Sequence, residues 1–264
     1  MGSFERLISL FRERESCVIA FSGGVDSSVA ALGARKSLDD SCAAVMIVDQ
    51  TVPEEDVETA AKVAGEIGIP FHTVEVDLLA NEDFTSNPPN RCALCKGILM
   101  PKVIEKAREL GFSHTADGAN LDDLDDYRPG LKVSDELGIW HPLMEAGIGK
   151  EEGRRILKEH GISVHDRPSS PCLASRIPYG QRITAEKLRI ISRMESGIRG
   201  LGFRDVRVRL HETSSGKYLG IIEVESPGKA FREWERIREL SLGMDLFLDP
   251  EGYRQGSLNR ALDP

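Results

Sequence analysis

A glycine- and serine-rich segment near the start of the chain has the composition of a phosphate-binding loop. It is Ser22-Gly23-Gly24-Val25-Asp26-Ser27-Ser28, and it follows an apolar run, Cys17–Phe21, that predicts a buried strand. A helical pattern begins near Val25. Glycines let the backbone approach an anion, and the N–H groups and dipole of a helix N-terminus favour negative charge. No Gly-Lys-Ser/Thr follows, so this is not a Walker A loop; a merely tight strand–helix turn is the alternative.

Three of the five cysteines, Cys92, Cys95 and Cys172, are predicted in loops or at a loop–helix junction. Cys92 and Cys95 form a Cys-x-x-Cys motif, which brings two thiolates within reach of one metal ion or cluster. Three thiolates suit a 4Fe-4S cluster with one open iron. The alternatives are a thiol that carries sulfur, a zinc or redox site, and unconnected thiols. A zinc ion would want a fourth ligand, for which His114 and His165 are the candidates.

Two charged segments in the first half of the chain are candidates for contacts with phosphates. Lys96 follows the cysteine motif directly and either bridges sulfur to phosphates or is a solvated lysine. Residues 116–130 form an acidic loop after a predicted strand. Its carboxylates suit Mg²⁺ bound to a pyrophosphate leaving group, because Mg²⁺ prefers hard oxygen ligands. A simply solvated loop is the alternative.

Two arginines near the C-terminus also have the spacing of a phosphate site. Arg207 and Arg209 alternate with apolar residues in a predicted strand, Val206–Leu210, so they share one face. Two guanidinium groups on one face can hold a phosphate between them. A cross-strand pair with Glu223 or Glu225 is an equally good interpretation.

The elements that must position these residues alternate between strands and helices in the first half of the chain. This order predicts an α/β fold, a parallel sheet with helices on both faces, in which ligands bind beyond the carboxyl ends of the strands. The predicted strands are Cys17–Phe21, Ala43–Val48, His72–Val76 and Ser113–Asp117, and the helices are Val25–Leu38, Glu54–Ile67, Ile98–Leu110 and Lys150–His160.

The pattern changes after a boundary that we place near Tyr179–Thr184. A helix through Leu188 and Ile198 leads to a strand–strand–helix–strand series, which is typical of a small α+β domain. We therefore expect two domains, 1–180 and 181–264. The predicted elements of the second are the strands Val206–Leu210, Leu219–Glu225 and Met244–Leu248 and the helix Lys229–Leu240.

Composition limits the classes of function. The net charge is −9, from 43 acidic and 34 basic residues, which argues against nucleic acid as the main partner. No run approaches the roughly 20 apolar residues of a membrane span, and the charged N-terminal segment lacks a signal-peptide core, so we expect a cytoplasmic protein. Cys17 and Cys42 have apolar neighbours and are predicted to be small core residues.

The motifs together resemble those of the LarE-type sulfurtransferases, which help to make the nickel-pincer nucleotide cofactor of lactate racemase. The resemblance spans nearly the whole chain and rests on SGGVDSS, RCALCK, DGANLDDLDDYRPG, PCLASRIPYG and GYRQGSLN. The first motif alone is shared with tRNA thiolases, GMP synthetase and NAD synthetase. The resemblance implies the PP-loop fold of the adenine nucleotide alpha hydrolases, with ATP and Mg²⁺ as cofactors.

The chemistry implied by this family is adenylation of a carboxylate on a pyridinium dicarboxylate mononucleotide, followed by sulfur insertion to give a thiocarboxylate. In some members the cysteine of the PCLASR-like segment gives up its own sulfur and becomes dehydroalanine. In others three cysteines hold a 4Fe-4S cluster that carries sulfide. Since this chain has all three cysteines, it resembles the cluster type.

The resemblance also implies roles for single residues. Nucleotide binding is implied for the phosphate loop and Gly118, and catalysis for Asp26, Lys96, Cys172 and Asp249. The substrate would be held by Asp125, Arg128, Ser175, Arg176, Arg207 and Arg209, and the cluster by Cys92, Cys95 and Cys172. A homo-oligomer is expected.

Two other functions remain as alternatives. A tRNA-thiolating enzyme would share the phosphate loop, but it predicts a basic RNA-binding surface and usually additional zinc-finger cysteines. A nucleotide-binding regulatory or scaffold protein with a structural zinc predicts no release of pyrophosphate.

Overall fold

The computed structural model of the protein describes residues 2–123, 129–168 and 170–254. The chain forms two compact units, one of Met1–Leu78 and Cys92–Ser170 and the other of Leu79–Arg91 and Pro171–Pro264. The domain boundary expected after residue 180 stays a prediction; in the structure the chain leaves the first unit after Ser170.

A four-stranded parallel sheet forms the centre of the first unit. Its strand order is β3-β2-β1-β4, and each neighbouring pair runs parallel. The predicted α/β fold with a parallel sheet is thereby confirmed. The strands are β1 (Cys17–Ala20), β2 (Cys42–Val48), β3 (Phe71–Glu75) and β4 (Thr115–Ala116). The helices are α1 (Ser3–Arg12), α2 (Val25–Leu38), α3 (Glu54–Ile67), α5 (Arg91–Glu109), α6 (Pro129–Glu136), α7 (Pro142–Ala146) and α8 (Lys150–Glu159), while α4 (Glu82–Thr85) belongs to the second unit.

Helices cover both faces of this sheet because the strand residues alternate between two apolar clusters. Cys17 and Ile19 belong to the larger cluster, which contains residues of α1, α2, α3 and α8. Val18, between them, belongs to a second cluster with residues of α5. Cys17 and Cys42 are completely buried, so their predicted place in the core is confirmed.

The structure differs from the sequence prediction in two helices. The helix expected from Ile98 begins at Arg91, so Cys92 and Cys95 lie within α5 and not ahead of it. Pro101, inside α5, lacks an N–H, but the helix continues on both sides of it. The helix expected at Lys229–Leu240 is two helices, α10 (Pro227–Arg232) and α11 (Trp234–Glu239), separated at Glu233.

The second unit has a three-stranded mixed sheet in the order β5-β6-β7. Its strands are β5 (Val206–Glu212), β6 (Tyr218–Val224) and β7 (Asp245–Leu248), with β5 antiparallel and β7 parallel to β6. The long helix α9 (Ala185–Gly200) packs Met194 and Ile198 into the core of this sheet. The expected strand–strand–helix–strand order of a small α+β region is confirmed. In the part of the chain that is described, no helix is long and apolar enough to cross a membrane.

Candidate active site

The predicted phosphate loop joins the end of β1 to the start of α2. Gly24 has an extended backbone and precedes the first residue of α2, where N–H groups lack partners within the helix. Gly23 has φ of 69°, and a Cβ built on it would lie 2.6 Å from the Cα of Ala60 in α3. Position 23 therefore requires glycine, both for its backbone conformation and for its contact with α3.

Serine hydroxyls shape this loop. Ser22 Oγ accepts a hydrogen bond from the N–H of Gly24 at 3.3 Å, and Ser27 Oγ donates to the Gly24 carbonyl at 3.2 Å. Ser28 differs, since it is completely buried and its Oγ has no hydrogen-bond partner among the described residues. A buried polar atom without a partner costs about 1–3 kcal/mol. An oxygen of a bound phosphate would remove that cost, so the loop fits an anionic ligand.

The end of β4 lies against this loop. A Cβ built on Gly118 would come within 2.6 Å of the Ser27 amide nitrogen and 2.9 Å of the carbonyl carbon of Asp26. Gly118, which the resemblance places against the nucleotide, thus contacts the backbone of the phosphate loop itself. The carboxyl ends of β1 and β4 meet here, as they do at the ligand site of open parallel sheets.

The carboxylate of Asp117, directly before Gly118, connects two cationic side chains. Lys96 Nζ donates to Asp117 Oδ2 at 3.3 Å and to Ser134 Oγ at 2.8 Å. His141 Nδ1 lies 2.7 Å from Asp117 Oδ1, and its Nε2 lies 3.2 Å from Asp135 Oδ1. Lys96 is therefore held by two protein groups in α6 and after β4.

The pKa values of this network move in opposite directions. Burial raises the pKa of Asp117, but the hydrogen bond from His141 and the charge of Lys96 outweigh it, so the pKa is lowered from 3.8. Burial lowers the pKa of His141, but the hydrogen bond and charge of Asp117 outweigh it, so the pKa is raised from 6.5. The carboxylate and the imidazolium thus stabilise each other next to the phosphate loop.

Cys92 and Cys95 lie three residues apart near the start of α5, on one side of the helix. Cys92 is exposed, Cys95 and Cys172 are half-buried, and all five cysteines of the chain are thiols. Cys172 belongs to the second unit. No group of three or more His, Cys, Asp or Glu side chains able to hold a metal ion occurs among the described residues. The structure therefore brings together two of the three expected cluster ligands, as a Cys-x-x-Cys pair.

Arg176, an expected substrate ligand, is buried in an ion pair of the second unit. Its Nε and Nη2 donate to the two carboxylate oxygens of Glu195 at 2.7 and 2.9 Å. Its Nη1 donates to the Pro171 carbonyl at 2.6 Å and to Ser175 Oγ at 2.9 Å. The guanidinium thus fixes the start of the PCLASR segment, and any contact with substrate would add to these bonds.

Arg207 and Arg209 are also buried. Arg209 donates to both carboxylate oxygens of Glu223 at 3.0 and 2.9 Å, so the structure contains the cross-strand pair that was the alternative to a phosphate site. Its Nη1 also donates to the Ser175 carbonyl at 2.8 Å. The Arg207 guanidinium lies 4.8 Å from the centre of the Tyr253 ring. Burial, and next the positive charge of Arg176, lower the pKa of Arg207, and an anionic ligand would offset both effects.

The remaining predicted site residues are Asp26, Asp249, Asp125 and Arg128. Asp26 lies in the first turn of α2 and is half-buried. Asp249 Oδ1 accepts a hydrogen bond from the N–H of Glu251 at 2.8 Å, in a turn after β7. Asp125 and Arg128 lie outside the described residues.

Sequence reasoning did not single out Asn87, which organises the segment containing Cys172. Asn87 has φ of 58°, and its Nδ2 donates to the carbonyls of Pro178 and Gln181 at 2.8 and 3.0 Å. Its Oδ1 accepts from Arg91 Nη1 at 2.8 Å. Asparagine tolerates a left-handed backbone better than most residues, but the long sequence separation of these contacts leaves no local signal. His141 was missed for the same reason.

Comparison with known proteins gives one family model and several relatives. A family model described as NAD synthase matches residues 11–103. The uncharacterized protein slr1717 of Synechocystis is 37% identical over 99% of this chain and 98% of its own length. The pyridinium-3,5-bisthiocarboxylic acid mononucleotide synthase of Lactiplantibacillus plantarum is 29% identical over 97% of this chain and 93% of its own. The tRNA-specific 2-thiouridylase MnmA of Clostridioides difficile is 29% identical over 58% of this chain and 53% of its own.

Proposed function

Because this chain belongs to the family of slr1717 and of the LarE-type sulfurtransferases, enzymes built on a PP-loop domain, we propose that it transfers sulfur to a carboxylate of a pyridinium dicarboxylate mononucleotide in nickel-pincer biosynthesis. The reaction begins with ATP and the substrate carboxylate, which form an acyl-adenylate and pyrophosphate. Sulfur then displaces AMP, and the product is a thiocarboxylate.

The phosphate loop carries this proposal. Ser28 Oγ is buried without a hydrogen-bond partner among the described residues, and the tight contacts of Gly23 and Gly118 hold the loop backbone in one shape. A carboxylate is a poor electrophile until it is activated, and pyrophosphate is a good leaving group once its charge is stabilised. The N-terminus of α2 supplies that stabilisation, and Mg²⁺ would neutralise charge on the same phosphates.

Lys96 supports the activation step in this proposal. Asp117 and Ser134 hold its ammonium, and Asp117 is followed directly by Gly118 on the loop backbone. A cation held beside a phosphate loop stabilises charge that develops on the departing group. The buried arginines of the second unit, with the lowered pKa of Arg207, support a site for the substrate's own phosphate.

For the sulfur we propose that Cys92, Cys95 and Cys172 hold a 4Fe-4S cluster, which would supply sulfide at its open iron when bound. The Cys-x-x-Cys pair in the first turns of α5 fits two ligands of such a group. The alternative needs no cluster. In it the Cys172 thiolate attacks the acyl-adenylate and expels AMP. A base then removes the Cα proton of residue 172 as the Cβ–Sγ bond breaks, which leaves dehydroalanine and the thiocarboxylate.

Similarity to tRNA-specific 2-thiouridylases keeps tRNA thiolation as the second candidate. That match covers 58% of this chain, whereas the match to the mononucleotide synthase covers 97%. The net charge of −9 also opposes binding to a polyanion. We therefore propose a small nucleotide as substrate, and a cytoplasmic homo-oligomer as the working form.

The test is anaerobic purification with iron, sulfide and zinc counts, followed by an assay of pyrophosphate release. Release that depends on the pyridinium dicarboxylate mononucleotide, and not on tRNA, is the expected result. Zinc in place of iron, even after anaerobic reconstitution, would remove the cluster from the proposal.

Replacing Cys92 with serine separates the two routes for sulfur. The cluster route predicts loss of thiolated product. If the Cys92→Ser variant still made one product per chain and Cys172 lost the mass of its sulfur, the cysteine itself would be the donor.

A further inference from the structure

One carboxylate of the first unit holds the segment that leads to Cys172. Asp56 lies in the first turn of α3 and is buried. Its Oδ1 accepts a hydrogen bond from Arg167 Nη2 at 2.6 Å, and its Oδ2 accepts from Ser170 Oγ at 3.0 Å. We call these three residues the Asp56 clasp. Both carboxylate oxygens are used, which fixes the orientation of the group.

The same face of α3 supports the phosphate loop. Ala60 is four residues after Asp56, so the two lie one above the other on the helix, about 5–6 Å apart. Gly23 packs against Ala60, since a Cβ on Gly23 would lie 2.6 Å from the Ala60 Cα. One helix turn therefore separates the contact made by the phosphate loop from the contact made by Ser170.

Two further contacts hold the same segment of chain. Arg154, in α8, donates to the carbonyls of His165 and Arg167 at 2.8 and 2.9 Å. Glu66, near the end of α3, accepts from the N–H of Ser163 at 2.8 Å. Of these contacts, the Asp56 clasp is the one nearest to Cys172 in sequence, because Ser170 is two residues before it.

We propose that Asp56, with Arg167 and Ser170, is a positioning site that couples ATP cleavage to sulfur delivery by fixing where the Cys172 segment leaves the first unit. This rests on the proposed function. The clasp touches neither ATP nor sulfur in this proposal. It sets the position of the segment, on which the rate of sulfur transfer to the acyl-adenylate depends, since small displacements of reacting groups cost large factors in rate.

The test compares Asp56→Asn with Glu66→Gln, which removes from the same helix a carboxylate charge that contacts the same segment at Ser163. Substrate-dependent pyrophosphate release in a single turnover is expected within about twofold of wild type for both. The ratio of thiolated product to pyrophosphate is expected to fall roughly 10- to 100-fold in Asp56→Asn alone. Asp56→Glu, which keeps the charge, is expected to recover part of that ratio.

A second measurement does not need turnover. In folded protein from which iron has been removed, the rate at which iodoacetamide modifies Cys172, relative to Cys92, is expected to rise at least about threefold in Asp56→Asn and to stay unchanged in Glu66→Gln, because local opening governs access to a half-buried thiol. An unchanged product ratio and an unchanged alkylation rate in Asp56→Asn would overturn the proposal, as would equal losses of product and pyrophosphate. If wild-type protein released no pyrophosphate with the mononucleotide, the proposed function would be overturned instead. The comparison of alkylation rates would still test whether the Asp56 clasp holds the Cys172 segment.

Discussion

Gly118 lies so close to Ser27 that a Cβ at position 118 would stand 2.6 Å from the Ser27 amide nitrogen. The atom that it would meet belongs to the backbone of the phosphate loop and cannot rotate away as the end of a side chain can. Gly118, two residues after β4, and the first turn of α2 are thus fixed against each other. A displacement of Gly118 would therefore change the shape of the phosphate loop.

We therefore expect Gly118→Ala to lower pyrophosphate release by at least about tenfold, because the loop must shift to admit the methyl group. Gly65→Ala is the matched control, since Gly65 lies within α3 and a Cβ there meets nothing within 4 Å. That control should keep full release and gain about 0.5–1 kcal/mol in free energy of unfolding. Equal release by the two variants would show that the contact does not shape the loop.

The cysteines should react in an order set by burial. Burial raises the pKa of Cys42 to about 11 and, with the charge of Cys42, raises that of Cys17 still further. Both thiols are completely buried, whereas Cys92 is exposed. In folded protein from which iron has been removed, iodoacetamide near pH 8 should modify Cys92 and leave Cys17 and Cys42 intact, because the thiolate is the reactive form.

Mass spectrometry of digested peptides gives the order of modification, and the same reaction in concentrated urea is its control. All five cysteines should then react. If Cys17 in the folded protein reacted as fast as Cys92, its buried position in the core of the first unit would be contradicted.

The pair of Asp117 and His141 predicts a pH-dependent stability. The pKa of His141 is raised from 6.5, so its contribution is complete below that value and is lost as the pH rises through the folded-state pKa. The pKa of Asp117 is lowered from 3.8, so its contribution is lost only in stronger acid. The difference in unfolding free energy between wild type and His141→Gln should be larger near pH 6 than near pH 9.

Urea denaturation at several pH values measures this difference. His160→Gln is a suitable control, because the His160 ring contacts a backbone carbonyl and no carboxylate in the described structure. If the unfolding free energy of wild type exceeded that of His141→Gln by more at high pH than at low pH, the ion pair between His141 and Asp117 would be contradicted.

The fold was predictable from sequence where one side-chain pattern dominates. The strands of the first unit are short apolar runs between helical repeats, and their alternation requires a parallel sheet. The start of α5 was not predictable in this way, since the apolar stripe indicated a helix only from Ile98 and placed the Cys-x-x-Cys motif ahead of it. In the structure Arg91, buried and bonded to Asn87, is already helical. The Arg91 guanidinium also lies 4.7 Å from the centre of the Tyr179 ring, a contact distant in sequence that no local pattern shows.

The candidate site was likewise predictable only where its residues are contiguous in sequence. The phosphate loop is contiguous, so its glycines and serines could be identified from spacing alone. Lys96 and its two partners come from three separate segments, and nothing in the local sequence pairs it with Asp117 or Ser134. For Arg176 the family resemblance implies substrate binding, but the residue that pairs with its charge, Glu195, lies nineteen positions away in α9.

Glu195 leads to the last prediction, which concerns stability. Its buried carboxylate accepts hydrogen bonds from Arg176, from Arg199 at 3.2 Å and from the N–H of Val208 at 3.0 Å. Glu195→Gln leaves the completely buried guanidinium of Arg176 without its counter-charge, so the unfolding free energy should fall by about 3–5 kcal/mol. Glu159→Gln, which breaks the exposed pair with Arg155 on α8, should cost less than about 1 kcal/mol. Urea denaturation of both variants measures the contrast, and similar losses would mean that burial does not set the strength of the Arg176–Glu195 pair.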